Sequence, residues 1–232
     1  MKVAIMQPYF FPYIGYWQLI NIADTFVILD DVNYINRGWV NRNKILSNNG
    51  TQYFNLVLEH KSQNKKINEI RIADEPKSAV SNMMKIECTY HKAPFYSDVY
   101  PLVEKIISNS ERNLAMYLTE SIERICDYLN ITTKVLRSSD LGIASDLKAQ
   151  DRIIAIAGHF DADTYINPIG GVDLYSKNSF ENAGVDLYFL KTGQLQYSQF
   201  ENNFIPNLSI IDVMMFNSVE RISEMLHMYE LM

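Results

Sequence analysis

Between Gln7 and Lys44 the chain sets aromatic rings with polar tips beside carboxylates and cations. That mixture suits a pocket for a polar, flat or sugar-like small molecule. One run carries Gln7, Tyr9, Tyr13, Tyr16 and Trp17; the next carries Asp30, Asp31, Tyr34, Arg37, Trp39, Asn41, Arg42, Asn43 and Lys44. Arg37, Arg42 and Lys44 could hold a diphosphate, and Trp39 or Tyr34 could stack on a base or a sugar. Asp30 and Asp31 could bind a metal, act as a base or hold sugar hydroxyls. Their plain structural alternative is capping, or a salt bridge to Arg37 or Arg42. Neighbouring strand residues point to opposite faces, so one of the two carboxylates is expected to face a ligand.

Two more polar clusters end apolar runs: Ser138-Ser139-Asp140 and Asn167-Pro168-Ile169-Gly170-Gly171, the latter leading to Tyr175. Paired glycines allow a close backbone approach to a phosphate or sugar, or simply a tight turn into a helix. His91, between Tyr90 and Lys92 in a polar bend, is a candidate acid-base group because an imidazole titrates near neutrality. The other histidines, His60, His159 and His227, are scattered, and no metal constellation can be argued. Cys88 and Cys126 form neither a metal pattern nor a disulfide framework, and each is expected to be a small buried hydrophobe. G-x-S-x-G, P-loop, complete dinucleotide-fingerprint and H-E-x-x-H patterns are absent, which counts against the common serine hydrolases, P-loop kinases and zincins.

These groups need strands to carry them. Residues 2–7 read as a buried strand, the run after Pro12 as a helix, and residues 24–31 as a second strand ending in carboxylates. Strand, helix and strand in this span make a parallel crossover, whose ligands gather at the carboxyl ends of the strands. Residues 37–58 suggest a hairpin around S-N-N-G, followed by a polar loop and a strand at 67–72. Helices are expected at 75–87, 94–108 and 111–129, then strands at 133–137, 164–167 and 185–190 with helices at 147–159 and 174–183 between them. Helices at 209–216 and 218–230 close the chain. The alternation predicts one α/β domain over residues 1–232, with a mainly parallel sheet, helices on both faces and a helical insertion or cap at 75–130.

The 232 residues are 47% hydrophobic and 21% charged, with a net charge of −6, which suits a globular chain and argues against a general nucleic-acid surface. No targeting segment or membrane-length apolar run is visible, so a cytoplasmic protein without membrane insertion is expected. Met214, Met215, Met225, Leu226 and Met228 either pack on the sheet or form a homodimer face.

The segments QPYFFPYIGYWQLI, DTFVILDDVNY, RGWVNRNKI, TYHKAPFY, RSSDL, YINPIGGVDLY and SIIDVMMF together resemble the WbqC-like protein family across nearly the whole chain. That resemblance implies a place in bacterial O-antigen or capsule polysaccharide biosynthesis, beside enzymes that make nucleotide-linked amino sugars. It suggests transfer of an acyl or aminoacyl group, such as glycyl, to the amine of such a sugar. The partners would then be the sugar nucleotide and an activated donor, with no certain cofactor. Tyr13-Ile14-Gly15-Tyr16 also resembles, in position, the H-I-G-H motif of nucleotidyltransferases, which implies a Rossmann-like (HUP-like) sheet. It opens an alternative, activation of an acid by ATP with Mg²⁺, although phenols cannot carry the imidazoles' positive charge. A non-catalytic partner that binds a sugar nucleotide or an enzyme is the third reading.

Overall fold

The computed structural model describes residues 1–47, 49–143, 147, 149–200 and 203–232. The chain opens with β1 (Lys2–Met6), α1 (Ile14–Ile22) and β2 (Thr25–Ile28). A hairpin of β3 (Arg42–Ser47) and β4 (Gly50–Asn55) follows, then the short pair β5 (Leu58–Glu59) and β6 (Arg71–Ile72). Next come α2 (Pro76–Tyr90), α3 (Tyr96–Ile107), α4 (Leu114–Tyr128), β7 (Lys134–Arg137) and α5 (Ala149–His159). The last part holds β8 (Thr164–Pro168), α6 (Lys177–Asn182), β9 (Asp186–Thr192), α7 (Ile210–Phe216), α8 (Val219–Met225) and β10 (Tyr229–Leu231).

Six strands form the central sheet in the order β10-β9-β8-β1-β2-β7, all parallel except the edge strand β10. The two-residue side-chain period divides the strands between two cores. Ala4, Phe26, Ile28 and Ile166 face one core with α1, α4 and α7, while Val3, Ile5, Val27, Tyr165 and Leu187 face another with α5 and α6. Helices therefore cover both faces, as parallel strands require. From β1 the chain steps outward to β2 and β7, then crosses to the other side of β1 to lay down β8 and β9. The order reverses between β1 and β8, the kind of edge at which open α/β sheets bind ligands.

Helix α1 is buried from Ile14 to Ile20, because it lies between the sheet and the C-terminal helices. Its polar Gln18 survives there by donating to the carbonyls of Met225 and Met228 at 2.8 and 3.0 Å. Helix α4 buries Leu114, Leu118, Ile122 and Ile125, and Asn113 caps it by accepting the Met116 N–H. Met214, Met215, Met225 and Leu226 are buried in the chain's own core, whereas Met228 is exposed.

Three local expectations are corrected. The last helix stops at Met225, and Tyr229–Leu231 instead pairs antiparallel with β9. An open sheet edge supplies those partners, and nothing local in the sequence announces it. The strand expected at 67–72 is a 3-10 turn at Ile67–Glu69 followed by β6, fixed by Asn68 N–H donating to the Asp30 carbonyl at 3.0 Å. Of the two cysteines expected to be buried, Cys126 is, but Cys88 lies exposed on α2.

Candidate functional site

At the carboxyl ends of β2 and β7, Asp30 is wholly buried and both of its oxygens are engaged. Ser138 Oγ lies 3.0 Å and the Ser139 backbone nitrogen 3.0 Å from Oδ1, while Ser139 Oγ donates to Oδ2 at 2.7 Å. Ser138 Oγ is also 2.5 Å from Asp31 Oδ1. The other oxygen of Asp31 pairs with the buried Arg152 guanidinium on α5. The ion pair considered from sequence, Asp31 with Arg37 or Arg42, is thus made with Arg152 instead. These carboxylates are held as oriented acceptors. Ser139 and Asp140 are exposed at the same edge, and Asp140 is bridged to Arg137 at 2.8 Å.

At the ends of β1 and β8, the Gln7 carbonyl accepts the Tyr16 hydroxyl at 3.0 Å. Asn167 is buried, accepts from the Tyr165 hydroxyl at 2.9 Å and donates to the Pro168 carbonyl at 3.0 Å. Its amide lies over Gly171, where a Cβ would come within 2.0 Å of Asn167 Nδ2, so a larger residue there must displace the Asn167 amide. Gly170 is exposed beside it, and Tyr175 packs edge-on against Tyr165.

On the other flank a cleft opens between the β1–α1 loop and the end of β9. Tyr9, Pro12, Tyr13, Trp39, Asn43 and Asn207 line a recess of about 270 Å³. Asn207 also borders a larger recess of about 500 Å³, whose walls include Ile14, Thr192, Gln194, Tyr197 and Phe204. Burial raises the phenols of Tyr9 and Tyr13 above the ordinary tyrosine value, and the Tyr13 interaction with Thr192 partly offsets this. Tyr13 borders the cleft, whereas Tyr16 is packed into the core against Phe26 with its hydroxyl spent on Gln7. Tyr13 and Tyr16 therefore have different surroundings and do not act as a pair.

The remaining candidates divide by role. Asn43 donates to the carbonyls of Phe10 and Phe11 at 3.0 and 2.8 Å, which shapes the cleft loop where Phe11 takes φ +45°. Tyr34 donates to Asn41 at 2.8 Å, and Asn41 donates to the Leu56 carbonyl at 2.9 Å, a buried brace. Arg42 folds back on the carbonyls of Arg37 and Gly38 and stacks on Tyr53, and Lys44 lies 5.2 Å from the same ring centroid. Arg37 is exposed, with φ +62°, and Trp39 is exposed at the cleft mouth. His91 and Lys92 are exposed after α2, whereas Tyr90 is buried.

The structure adds Arg152, Thr192 and Asp212 to the candidates. Asp212 has no exposed surface and accepts from Tyr90 at 2.8 Å, from Tyr197 at 2.7 Å and from Gln199 at 2.7 Å. Burial pushes its carboxyl above the usual range, and the three donors pull it back. An aspartate inside the apolar run SIIDVMMF was the only sequence signal for it. Among the described residues no group of three or more histidine, cysteine or acidic side chains is placed to hold a metal. No helix among the described residues is long and apolar enough to cross a membrane.

A relative from Mycobacterium tuberculosis (strain ATCC 25618 / H37Rv), named Uncharacterized protein Rv1507c, is 28% identical over 216 residues, covering 92% of each chain. No solved structure matches. The profile of the WbqC-like protein family matches residues 7–224, and the chain belongs to that family.

Proposed function

We propose that the protein transfers an acyl or aminoacyl group to the amine of a nucleotide-linked amino sugar in bacterial surface-polysaccharide biosynthesis. The observation that carries this reading is a cleft walled by Tyr9, Tyr13 and Trp39 at the β1–α1 loop, in a sheet whose strand order reverses between β1 and β8. The nucleotide lies across the carboxyl ends of the strands, with an aromatic wall for its base and the Asp30–Ser139 edge for hydroxyls. The family's association with nucleotide-linked amino sugars supplies the substrate class.

In the reaction the neutral amine attacks the donor's carbonyl carbon. A C–N bond forms, the bond to the donor's leaving group breaks, and the amine proton passes to a base and then to the leaving group. Positioning the two reactants supplies most of what such a step needs. Asp30 and Asp31 hold their neighbours in place, and Asp140 is an exposed carboxylate at the same edge.

Incubating the protein with UDP-glucosamine and either an acyl-coenzyme A or an aminoacyl ester, followed by mass spectrometry, tests the reading. A protein-dependent amide product supports it. Binding of the sugar nucleotide without product from any donor overturns catalysis in favour of a binding role.

ATP activation of an acid is favoured by one observation, the position of Tyr13-Ile14-Gly15-Tyr16 at the start of α1, the first helix after β1. It predicts pyrophosphate exchange that depends on Mg²⁺. The burial of Tyr16 weighs against it.

A further inference from the structure

Tyr197 lines the larger recess, and its hydroxyl donates to Asp212 Oδ1 at 2.7 Å. The hydrogens around Asp212 run one way. The Leu46 backbone N–H donates to the Tyr90 hydroxyl at 3.1 Å, so the hydrogen of Tyr90 goes to Asp212 Oδ2 at 2.8 Å. Gln199 gives its amide hydrogens to Asp212 at 2.7 Å and to the Ile205 carbonyl at 3.1 Å; its 3.4 Å approach to the Tyr197 oxygen is its longest contact. A phenol has one hydrogen, and that of Tyr197 is spent on the carboxylate. What it retains is acceptor lone pairs with a buried carboxylate behind them. No lysine or arginine stands among the described residues lining this recess.

We propose that Tyr197 receives the amine of the ligand. It is an acceptor on the cleft wall, oriented by Asp212, that selects an ammonium or primary amine over a hydroxyl at the same position. The selectivity is electrostatic, since a hydrogen bond to a charged donor is roughly twice as strong as a neutral one. Asp212 is a positioning residue that acts through Tyr197. The identity of the molecule rests on the sugar-nucleotide reading above, whereas the amine preference follows from the hydrogen count.

Calorimetric titration with UDP-glucosamine and UDP-glucose, which differ at one substituent, tests this in the wild type and in Tyr197→Phe. The wild type is expected to prefer the amine by roughly tenfold. Tyr197→Phe keeps the ring, retains affinity for UDP-glucose and loses the preference. Asp212→Asn reduces the preference in the same way, which a purely structural role would not do. An unchanged preference in Tyr197→Phe overturns the proposal and leaves the sugar-nucleotide reading standing. If neither sugar nucleotide binds, that reading fails. The amine site is then judged with fluorotyrosine-labelled protein, in which the Tyr197 resonance is identified by its loss in Tyr197→Phe. A shift with millimolar glucosamine and none with glucose supports the site; no shift with either overturns it.

Discussion

Ser139 grips Asp30 twice, through its backbone N–H to one carboxylate oxygen at 3.0 Å and through its hydroxyl to the other at 2.7 Å. The residues are 109 positions apart, and their contact ties the carboxyl ends of β2 and β7 together where a ligand would rest. The Ser139 hydroxyl, having given its hydrogen to Asp30, presents acceptor lone pairs at the exposed edge.

Removing that grip leaves the buried Asp30 carboxylate short of donors or Ser139 without its acceptor. Asp30→Ala is expected to destabilise the fold by about 2–4 kcal/mol, and Ser139→Ala by about 1 kcal/mol. Urea unfolding of the three proteins measures both. Equal small losses would show that the carboxylate is not the anchor of this edge.

The Asp31–Arg152 pair is nearly desolvated, with 9% and 6% of the two side chains exposed. Breaking such a pair from one side removes a buried, charge-assisted hydrogen bond, at about 1.5–3 kcal/mol. Asp31→Asn and Arg152→Met should each show a loss of that order, and the double variant should lose far less than their sum. Additive losses in this double-mutant cycle would contradict a direct coupling.

Gly15 makes room for the cleft wall. A Cβ there would come within 2.4 Å of Thr192 Oγ1 and 2.5 Å of the Tyr13 ring. Gly15→Ala is therefore expected to displace Tyr13, cost about 1–3 kcal/mol and weaken ligand binding. Adding Thr192→Ala should recover part of the stability, since it removes one of the two obstructions. No recovery would place the strain elsewhere.

Asp212 gives a pH signature. Its carboxyl is raised in the folded state above the value near 4 of an unfolded chain, so the folded state holds the proton more tightly. Its contribution is fully favourable below the unfolded value and falls as pH rises through the folded one. The stability of the wild type minus that of Asp212→Asn should therefore decline from about pH 4 upward. A difference that grows with pH over this range would reverse the assignment.

Much of this arrangement was legible in the sequence. Apolar runs ending in Gln7, Asp30-Asp31, Ser138-Ser139 and Asn167 announced parallel strands with polar carboxyl ends, because burial on both faces leaves little but β-branched and aromatic residues inside such strands. The partners of those groups were not legible. Arg152 meets Asp31 across 121 residues, and Asp212 gathers Tyr90 from α2 and Tyr197 and Gln199 from the segment after β9. Helical spacing places Arg152 on α5 but says nothing of what it faces. Arg42 looked like a phosphate ligand by type, yet the turn at Arg37 folds it onto local carbonyls and the Tyr53 ring. Strand β10 was missed because its pairing depends on the exposed edge of β9, a relation that no local propensity encodes.

The central claim is that the cleft at the β1–α1 loop takes a nucleotide-linked sugar, and ligand-dependent thermal unfolding tests it most directly. A ligand that binds only the folded chain raises the melting temperature by mass action. The account predicts a rise with UDP- or dTDP-sugars that is independent of Mg²⁺, lost when Tyr13 and Trp39 are replaced by alanine, and absent with ATP. A Mg²⁺-dependent rise with ATP alone would contradict it and assign the site to adenylate chemistry.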